Sequence, residues 1–530
     1  MSSDPATGLS PRFVASVLLG TGLLVFAIVR ASLWFDDFSN PDIGAIASTA
    51  DLILAGGLPY VDTIEFKPPG VGFLFAGVFA LLGRSLDALQ IAYAAWLLLG
   101  AGAIWLGARD PSDPRPAALA TAVYLLYAGM FDFNYSAWMM PAYAWAWVAT
   151  QRGLSRPTLS WSIAAGALGV LAFTLKQQAV VLGLAMIVAW LLARRRGAAG
   201  ARSTTPLWWL LGGAIGLLPL TLRYAIAGEL PALYAGLFAF GKVAAYAQAG
   251  GAHLGPLALV GAVLAQLVRT FPVALALACV AGVAAALDRK ADRAGPPMLD
   301  TVVLLLVSIA AGGLGGARFY LHYLVQDLPA LALLAGHPAT VGLLGRGPAP
   351  SRAHALARAL GWIVVSAATI GQALQIAGGD GHRYDAIARR LESGKTAAQV
   401  AGQHIAARTR ADETIFVWGW TAWRVPFWAD RKLATRVHKE LGTLTEFNTN
   451  SAFEPARPIH FVPGPYADEV LQAFSEAPPS YIVHSDSFTT TFGCDRDPLL
   501  EFEALTELIL RDYVPEAQYG DLRLYVRRSR

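Results

Sequence analysis

Charged residues are scarce in this chain of 530 residues: Asp, Glu, Lys and Arg together make up 15% of it, against roughly 25% in soluble domains. Hydrophobic residues account for 55%, and this balance indicates an integral membrane protein. The net charge is only +4, and the basic residues form short clusters between apolar runs, as they do in cytoplasmic loops. Nucleic acid is therefore not an expected partner.

Cysteine and the common motifs of soluble enzymes are also rare or missing. The two cysteines, Cys279 in an apolar run and Cys494 near the C-terminus, lie in environments too different to predict a disulfide or a redox site. The chain has no Walker A sequence, H-E-x-x-H, G-x-S-x-G or paired C-x-x-C, so a nucleotide-driven cytoplasmic reaction is not supported. No Ala-x-Ala cleavage site follows the first apolar run, which we expect to be retained as a span.

Long apolar runs dominate the first 378 residues, and a transmembrane helix needs about 20 such residues. About eleven candidate spans lie at 13–34, 86–108, 116–131, 137–150, 159–175, 178–193, 206–227, 270–287, 298–315, 319–336 and 359–377. The composition becomes polar from about residue 380, with strand-like runs at 414–419, 481–484 and 522–526 and helical stretches at 384–391 and 499–510. The sequence predicts a polytopic α-helical membrane domain over residues 1–378 and a small α/β soluble domain over residues 379–530.

The distribution of Lys and Arg predicts the orientation of the spans. All the basic clusters fall in alternate loops, as cytoplasmic loops require, only if residues 70–83 do not cross the membrane. That segment is too short to span comfortably and has the length of an interfacial helix. Residues 35–85 then form a long first outer loop with juxtamembrane helices, and the C-terminal domain lies on the same, extracytoplasmic side.

The first outer loop contains several carboxylates, a single lysine and a Pro-Pro helix start. A helix opening with free N–H groups beside Lys67 is a candidate phosphate site. The carboxylates are candidates for a general base or a cation ligand. They are Asp36, Asp37, Asp42, Asp51, Asp62 and Glu65. The alternative is that such residues are solvated or cap helices, and Asp51 and Asp62 fit that description best.

Three charged or titratable residues farther along the chain are predicted to lie at the same membrane face. Lys176 stands between two apolar runs, and the alternative to a functional role is a lysine that snorkels to the interface. Arg318 and His322 are four residues apart, which predicts that they share a helix face. Their alternative role is to anchor the interface together with neighbouring aromatic residues.

Two stretches of the chain resemble a known family. They are residues 40–70, NPDIGAIASTADLILAGGLPYVDTIEFKPPG, and residues 318–336, RFYLHYLVQDLPALALLAG. Both resemble bacterial GT-C fold glycosyltransferases of the protein mannosyltransferase-like and aminoarabinose transferase-like group. In that group an acidic motif in the first outer loop precedes Gly-x-Pro-Tyr-x-Asp and Lys-Pro-Pro, which residues 57–62 and 67–70 match here.

The resemblance implies an enzyme of the bacterial inner membrane that transfers a hexosyl or pentosyl group. The donor would be a sugar on a polyprenyl phosphate, the acceptor an envelope lipid, polysaccharide or protein on the extracytoplasmic face, and the mechanism inverting. An attacking hydroxyl needs a carboxylate to take its proton, and Asp42 matches the family's acidic position. The best-known members carry an Asp-Glu pair there, so Asp36 and Asp37 stay as alternatives.

The departing lipid phosphate needs cationic partners, and the resemblance implies Lys67, Lys176 and Arg318 for that role. Tyr60, Glu65 and His322 are further site candidates. Glu65 lies near the position where some relatives have a glutamate associated with a metal, but the offset differs by one residue. A divalent cation is therefore left open, and no other cofactor is expected.

The C-terminal domain resembles the outer domains of the same group, which position or recognise the acceptor; a purely stabilising cap is the alternative. Two other functions remain for the whole chain: a transporter or flippase of lipid-linked sugars, and a non-catalytic scaffold for envelope assembly. A transporter should show internal symmetry and charges at the membrane midplane. The concentration of polar residues at one face, next to a long acidic loop, favours the enzyme.

Overall fold

The computed structural model describes residues 10–34, 40–250, 254–287, 297–345, 351–378 and 394–528. Its first part is helical. The helices are α1 (Pro11–Trp34), α2 (Pro41–Leu54), α3 (Gly70–Leu82), α4 (Leu86–Ala108), α5 (Arg115–Ala128), α6 (Tyr135–Ser155), α7 (Leu159–Leu175), α8 (Val181–Arg195), α9 (Thr205–Ile226), α10 (Leu230–Leu237), α11 (Phe240–Ala249), α12 (Pro256–Thr270), α13 (Pro272–Leu287), α14 (Met298–Gly313), α15 (Leu328–Ala335), α16 (Pro338–Leu344) and α17 (Arg352–Gly378).

Among the described residues, six helices are long and apolar enough to cross a membrane, and two bent helix pairs raise that number to eight. Large apolar side chains such as Leu210 and Leu222 of α9 are exposed, as lipid-facing positions are in a bilayer. The chain is thus a multi-span membrane protein. The expected count of about eleven spans is not confirmed.

One of the expected spans is interrupted, and three helices were not expected. Residues 319–336 do not form one helix: a 3₁₀ helix (Leu321–Asp327) leads into α15, and a 54° bend separates α15 from α16. Phe319 has a φ of 41°, a left-handed conformation through which a right-handed helix cannot run. Helices α10 to α12 were not expected. Helices α10 and α11 together form one of the six candidate spans, Leu230–Ala249, and α12 pairs with α13 across a bend of 109°.

The C-terminal part forms a five-stranded mixed sheet with helices on both faces. The elements are α18 (Ala397–Ala406), β1 (Thr414–Trp418), α19 (Val425–Ala429), β2 (Lys432–Leu433), α20 (Pro465–Glu476), β3 (Tyr481–Ser485), α21 (Ser487–Phe492), α22 (Glu503–Asp512), β4 (Tyr513–Tyr519) and β5 (Leu522–Arg527). The strand order is β2-β1-β3-β5-β4. Strand β1 pairs in parallel with β2 and β3, while β5 is antiparallel to β3 and β4.

The strands predicted at 414–419, 481–484 and 522–526 are confirmed, and the edge strands β2 and β4 were missed. The predicted helix at 499–510 is divided at Phe502 into a 3₁₀ helix (Pro498–Glu501) and α22. The helix predicted at 384–391 lies outside the described residues. Along β1 the buried side chains alternate between the two faces, so that Phe416 packs with α20 and Ile415 with α18.

The sheet domain contacts the helical domain through α2. A Cβ added to Gly44 would lie 2.7 Å from both the Cα of Arg424 and the carbonyl oxygen of Trp423. Arg84, just before α4, adds a second contact: it forms a bidentate salt bridge with Asp51 of α2 at 2.7 and 2.8 Å and donates to the carbonyl oxygen of Phe427 at 2.8 Å. This docking places the sheet domain directly above the beginning of α2.

Gly44→Ala should therefore destabilise the protein by about 1–3 kcal/mol, because the added methyl forces apart two backbone segments that cannot be repacked by rotating a side chain. The measurement is the apparent melting temperature in detergent. Gly77→Ala in α3 is the matched control, since a Cβ at Gly77 meets nothing within 4 Å, and alanine is the better helix former. Equal melting temperatures for the two variants would contradict the close contact.

Candidate active site

Helix α2 begins with the sequence Asn-Pro-Asp, which has the residue types that favour a helix N-terminus. The side chain of Asn40 accepts a hydrogen bond from the backbone N–H of Asp42 at 3.0 Å, and Pro41 occupies the first turn, where no N–H is needed. The Asp42 carboxylate then lies at the positive end of the helix dipole. Buried Ile43 and Ile46 fix the face on which α2 packs, and with it the position of Asp42.

The loop between α2 and α3 folds around Glu65. One carboxylate oxygen of Glu65 accepts hydrogen bonds from the backbone N–H groups of Phe66 and Lys67, at 2.9 and 3.1 Å. The hydroxyl of Tyr60 donates to the carbonyl oxygen of Lys67 at 2.8 Å. These contacts direct the Lys67 ammonium to Asp42, where Nζ lies 3.0 Å from Oδ2. Tyr60 itself does not line the cavity described below; it holds Lys67.

A second lysine reaches the same carboxylates from the C-terminal domain, and sequence reasoning missed it. The Nζ atom of Lys439 lies 2.7 Å from Oε2 of Glu65 and 3.4 Å from Oδ1 of Asp42. It also lies 3.4 Å from the hydroxyl oxygen of Tyr135 at the start of α6. Glu65 and Lys439 are 374 positions apart in the chain, and no local pattern around Lys439 marks it as functional.

Neighbouring charges hold Asp42, Glu65 and Lys439 in their ionised forms, whereas burial lowers the pKa of Lys67. Burial by itself raises the pKa of the Asp42 carboxyl, but the adjacent Lys67 and Lys439 ammonium groups outweigh burial and hold that pKa well below its ordinary value. Burial also acts to raise the pKa of Glu65, and the same two lysines keep it lowered. For Lys439 burial lowers the pKa, but the nearby Glu65 carboxylate reverses the effect and the pKa is well above ordinary.

A cavity of about 1170 Å³ begins at this cluster and continues between membrane helices. Its charged end is lined by Asp42, Lys67, Lys176, His322 and Lys439. Its other arm is apolar and runs between α7, α8 and α9. Representative lining residues there are Gly166, Phe173, Met186, Trp209, Ala214 and Leu217. The cavity therefore offers one amphipathic space, with a charged head region and an apolar tail region.

Lys176 caps the C-terminus of α7 and points into the cavity. Its side chain is 9% exposed, donates to the hydroxyl of Ser136 and lies 4.1 Å from the ring centroid of Tyr323. Among the described residues it forms no salt bridge with a carboxylate, unlike Lys67 and Lys439. Of the lysines that line the cavity, Lys176 is thus the one without a carboxylate partner within the described residues. Burial lowers its pKa, and a bound anion would favour the charged ammonium form.

Arg318 is placed differently from His322, although both come from the second stretch that resembles the family. The expectation that they share a helix face is wrong, because Ala317 and Phe319 adopt left-handed φ values of 54° and 41° and no helix forms around Arg318. The His322 ring lines the cavity, whereas Arg318 does not.

The fully buried Arg318 guanidinium instead holds a loop of the C-terminal domain. It donates to the carbonyl oxygens of Asn448 and Asn450, and also to that of Tyr246 at 2.8 Å. Asn448 and Asn450 both line the cavity. In this arrangement Arg318 positions the loop and does not face the cavity itself.

A third carboxylate, Asp132, lies behind the site and was also missed from the sequence. It is in the loop before α6 and accepts a hydrogen bond from the side chain of Asn134, which caps that helix. Burial raises the pKa of Asp132 to about 6, while Asn40 and Asn134 act in the opposite direction. The signal that could have found it is the Asp-x-Asn pattern just before an apolar helical run. Asp36 and Asp37 lie outside the described residues.

Glu440, next to Lys439, is fully buried and accepts a hydrogen bond from the indole N–H of Trp423 at 2.6 Å. Its other oxygen has no hydrogen-bond partner within the described residues, and burial raises the pKa of Glu440 to about 8. Trp423 lines the cavity. The neutral carboxylic acid of Glu440 therefore supports one wall of the site.

The raised pKa predicts a pH-dependent stability. Folded Glu440 holds its proton up to about pH 8, whereas the unfolded chain releases it near pH 4.3. Its contribution to stability is therefore full below pH 4.3 and is lost as the pH rises through 8. Glu440→Gln does not titrate at this position. As the pH rises from 5 to 8, its free energy of unfolding should therefore increase relative to that of the parent by up to about 4 kcal/mol, which a pH series of melting temperatures measures. Parallel pH profiles of the two proteins would contradict a buried neutral Glu440.

Part of the chain matches a known family in sequence, and nearly the whole chain is similar to solved structures. Residues 66–224 match the family model of dolichyl-phosphate-mannose-protein mannosyltransferases. No curated protein matches the chain. ArnT from Cupriavidus metallidurans bound to undecaprenyl phosphate is similar in structure, with a TM-score of 0.59 and 16% identity over 96% of this chain and 97% of that one.

Two further structures share the fold. The apo state of the same ArnT gives a TM-score of 0.53 and 16% identity, over 95% of this chain and 97% of that one. The archaeal oligosaccharyltransferase AglB from Archaeoglobus fulgidus, in complex with an inhibitory peptide and a dolichol-phosphate, gives 0.51 and 12%, over 96% and 74%. The resemblance to GT-C glycosyltransferases that the sequence predicts is confirmed, by the family model over residues 66–224 and by the fold over nearly the whole chain.

Proposed function

We propose that this chain is an inverting glycosyltransferase of the bacterial inner membrane. It transfers a hexosyl or pentosyl group from a polyprenyl-phosphate carrier to an envelope lipid, polysaccharide or protein on the extracytoplasmic face. The observation that carries the proposal is the single cavity that joins an apolar arm between α7, α8 and α9 to a cluster of lysines and carboxylates. A lipid-linked sugar phosphate has the same division into an apolar chain and an anionic head.

The donor would lie with its polyprenyl chain in the apolar arm and its phosphate at the charged end. Lys176 is the first phosphate ligand, because its ammonium lines the cavity and has no carboxylate salt bridge among the described residues. Lys67 is the second, because it also lines the cavity. Charge-assisted contacts of this kind are stronger inside a protein than in water. Arg318 contributes from outside the cavity by holding the loop of Asn448 and Asn450.

The reaction is a displacement at the anomeric carbon. The acceptor hydroxyl attacks that carbon from the side opposite the phosphate, the bond between carbon and phosphate oxygen breaks, and the electron pair leaves on the phosphate. The hydroxyl proton passes to Asp42. Since Lys67 and Lys439 keep Asp42 ionised, the carboxylate is ready to accept a proton. A hydroxyl that has begun to bond to carbon is a far stronger acid than free alcohol, so a carboxylate of low pKa suffices.

The C-terminal domain takes part in the acceptor side of the site. It contributes Trp420, Trp423, Leu441 and Phe492 to the cavity lining, and the ring centroid of Trp423 lies 5.9 Å from Nζ of Lys439. Flat aromatic side chains provide large contact areas at a low cost in conformational entropy. These residues favour a domain that binds the acceptor over one that only stabilises the fold.

The test is a transfer assay on the purified protein in nanodiscs, with a panel of polyprenyl-phosphate sugars and an envelope lipid extract. We expect one donor to be consumed and its sugar to appear on an acceptor with the opposite anomeric configuration, which NMR reports. Proteoliposomes separate the alternatives: donor that crosses the bilayer unchanged would indicate a transporter. Binding with neither transport nor turnover would indicate a scaffold.

A further inference from the structure

The resemblance to metal-associated relatives raises the question of whether the residues around Glu65 fit a divalent cation. A bound cation needs several oxygen or nitrogen ligands at about 2.0–2.6 Å. Within the described residues, no group of three or more His, Cys, Asp or Glu side chains is arranged to hold one. Asp42 and Glu65 are the carboxylates of the charged cluster, and both already have ammonium partners.

The space between these carboxylates is taken by the Lys439 ammonium, 2.7 Å from Glu65 and 3.4 Å from Asp42. With Lys67 on the other oxygen of Asp42, two positive charges balance two negative ones. A divalent cation would have to displace Nζ of Lys439 and would add two charges to a group whose side chains are only 10 to 26% exposed. Such an excess of buried charge is costly. The residues present do not fit a metal ion.

Lys439 is also held firmly in this position. Arg436, three residues before it, donates to the carbonyl oxygen of Val61 at 2.8 Å, and its own carbonyl oxygen accepts from the N–H of Ile64 at 2.9 Å. These contacts attach the segment that precedes Lys439 to the loop that contains Glu65. The hydroxyl of Thr443 donates to the carbonyl oxygen of Lys439 from the other side.

We propose that Lys439 is a built-in cation: its ammonium bridges Asp42 and Glu65, and sugar transfer proceeds without a divalent cation. This inference rests on the proposed function, and it assigns Lys439 the role of a positioning residue that acts through Asp42 and Glu65. Because Lys439 belongs to the C-terminal domain, the charge balance of the site is complete only when that domain is docked on α2.

Cation binding tests the proposal without any turnover. The protein is stripped with EDTA and titrated with Mn²⁺, and bound Mn²⁺ is counted by EPR spectroscopy. The parent and Glu65→Gln should bind equally, whereas Lys439→Met should gain one site that is lost again in Lys439→Met/Glu65→Gln. A parent site that disappears in Glu65→Gln would overturn the proposal, and this comparison stands even if Lys439→Met does not fold.

The rate of sugar transfer provides a second test of the proposal. Transfer by the parent should be unchanged by EDTA, Mg²⁺ or Mn²⁺. Lys439→Met should lose about 10- to 100-fold in transfer rate, the range found when a residue that orients metal-binding side chains is removed. It should regain part of the loss with Mn²⁺, while Lys439→Arg stays closer to the parent. Lys432→Met is the matched control, an exposed lysine of the same domain.

The outcomes distinguish the two proposals. A parent that loses transfer in EDTA and regains it with a cation would overturn the role of Lys439 alone. A Lys439→Met variant as active as the parent would do the same. A parent that transfers no sugar from any donor would contradict the proposed function, and the Mn²⁺ counts would still decide whether Lys439 occupies a cation site.

Discussion

Asp42→Asn should abolish sugar transfer while leaving lipid-phosphate binding intact. Asparagine has the size of aspartate and its carbonyl oxygen can still accept from Lys67, which lies 3.0 Å from the carboxylate in the parent. It cannot take the proton of the attacking hydroxyl. A general base contributes about 10²- to 10⁴-fold to the rate, so we expect a loss of at least that order in kcat.

The measurement is donor consumption under saturating acceptor, together with the Kd for undecaprenyl phosphate. Asp87→Asn is the matched control, because Asp87 lies in the first turn of α4, accepts a hydrogen bond from the indole N–H of Trp34 at 2.8 Å and does not line the cavity. It should transfer at close to the parent rate. If Asp42→Asn turned over as fast as the parent, Asp42 would not be the base, and the search would return to Asp36 and Asp37.

Lys176→Met should weaken binding of the lipid phosphate about 10- to 100-fold. The methionine side chain keeps most of the length and apolar contact of the lysine, so that the change removes the ammonium alone. A hydrogen bond to a charged partner is worth roughly 1.5–3 kcal/mol, and among the described residues no carboxylate salt bridge engages this lysine in the absence of ligand. Loss of the contact should therefore appear directly in the Kd.

Titration with undecaprenyl phosphate measures this effect, and neutral undecaprenol provides a ligand control that should bind both proteins alike. Lys242→Met is the matched variant, since Lys242 donates to the hydroxyl of Tyr466 and lies outside the cavity lining. Equal phosphate affinity in Lys176→Met and the parent would show that the phosphate lies elsewhere in the cavity, with Lys67 as the next residue to change.

Local sequence patterns indicate those parts of the structure that are formed by residues close together in the chain. Asn40 and Pro41 start α2 with its carboxylate in the first turn, and Pro69 precedes α3 as expected from Lys-Pro-Pro-Gly. Strands β1, β3 and β5 of the C-terminal sheet follow from short β-branched and aromatic runs. Such features depend on interactions within a few residues, which the order of residue types specifies directly.

The backbone conformation around Arg318 was not predictable from local sequence patterns. The run from residue 319 to 336 is apolar enough for a span, and nothing in it announces the left-handed backbone at Ala317 and Phe319. The Arg318 side chain lies outside the cavity lining because it donates hydrogen bonds to the carbonyl oxygens of Asn448 and Asn450. Those acceptors come from a different domain, so a local prediction had no means of including them.

The sequence by itself determined that this is a multi-span membrane protein with a GT-C resemblance, and it singled out Asp42, Lys67 and Lys176, which line one cavity. Only the tertiary structure decided how their charges are balanced, because Lys439 reaches Glu65 across 374 positions of chain. Side chains far apart in sequence become neighbours when packing of the two domains buries them. Once they are buried, their charges must be compensated within a few ångströms, and that requirement has no trace in the local pattern of residues.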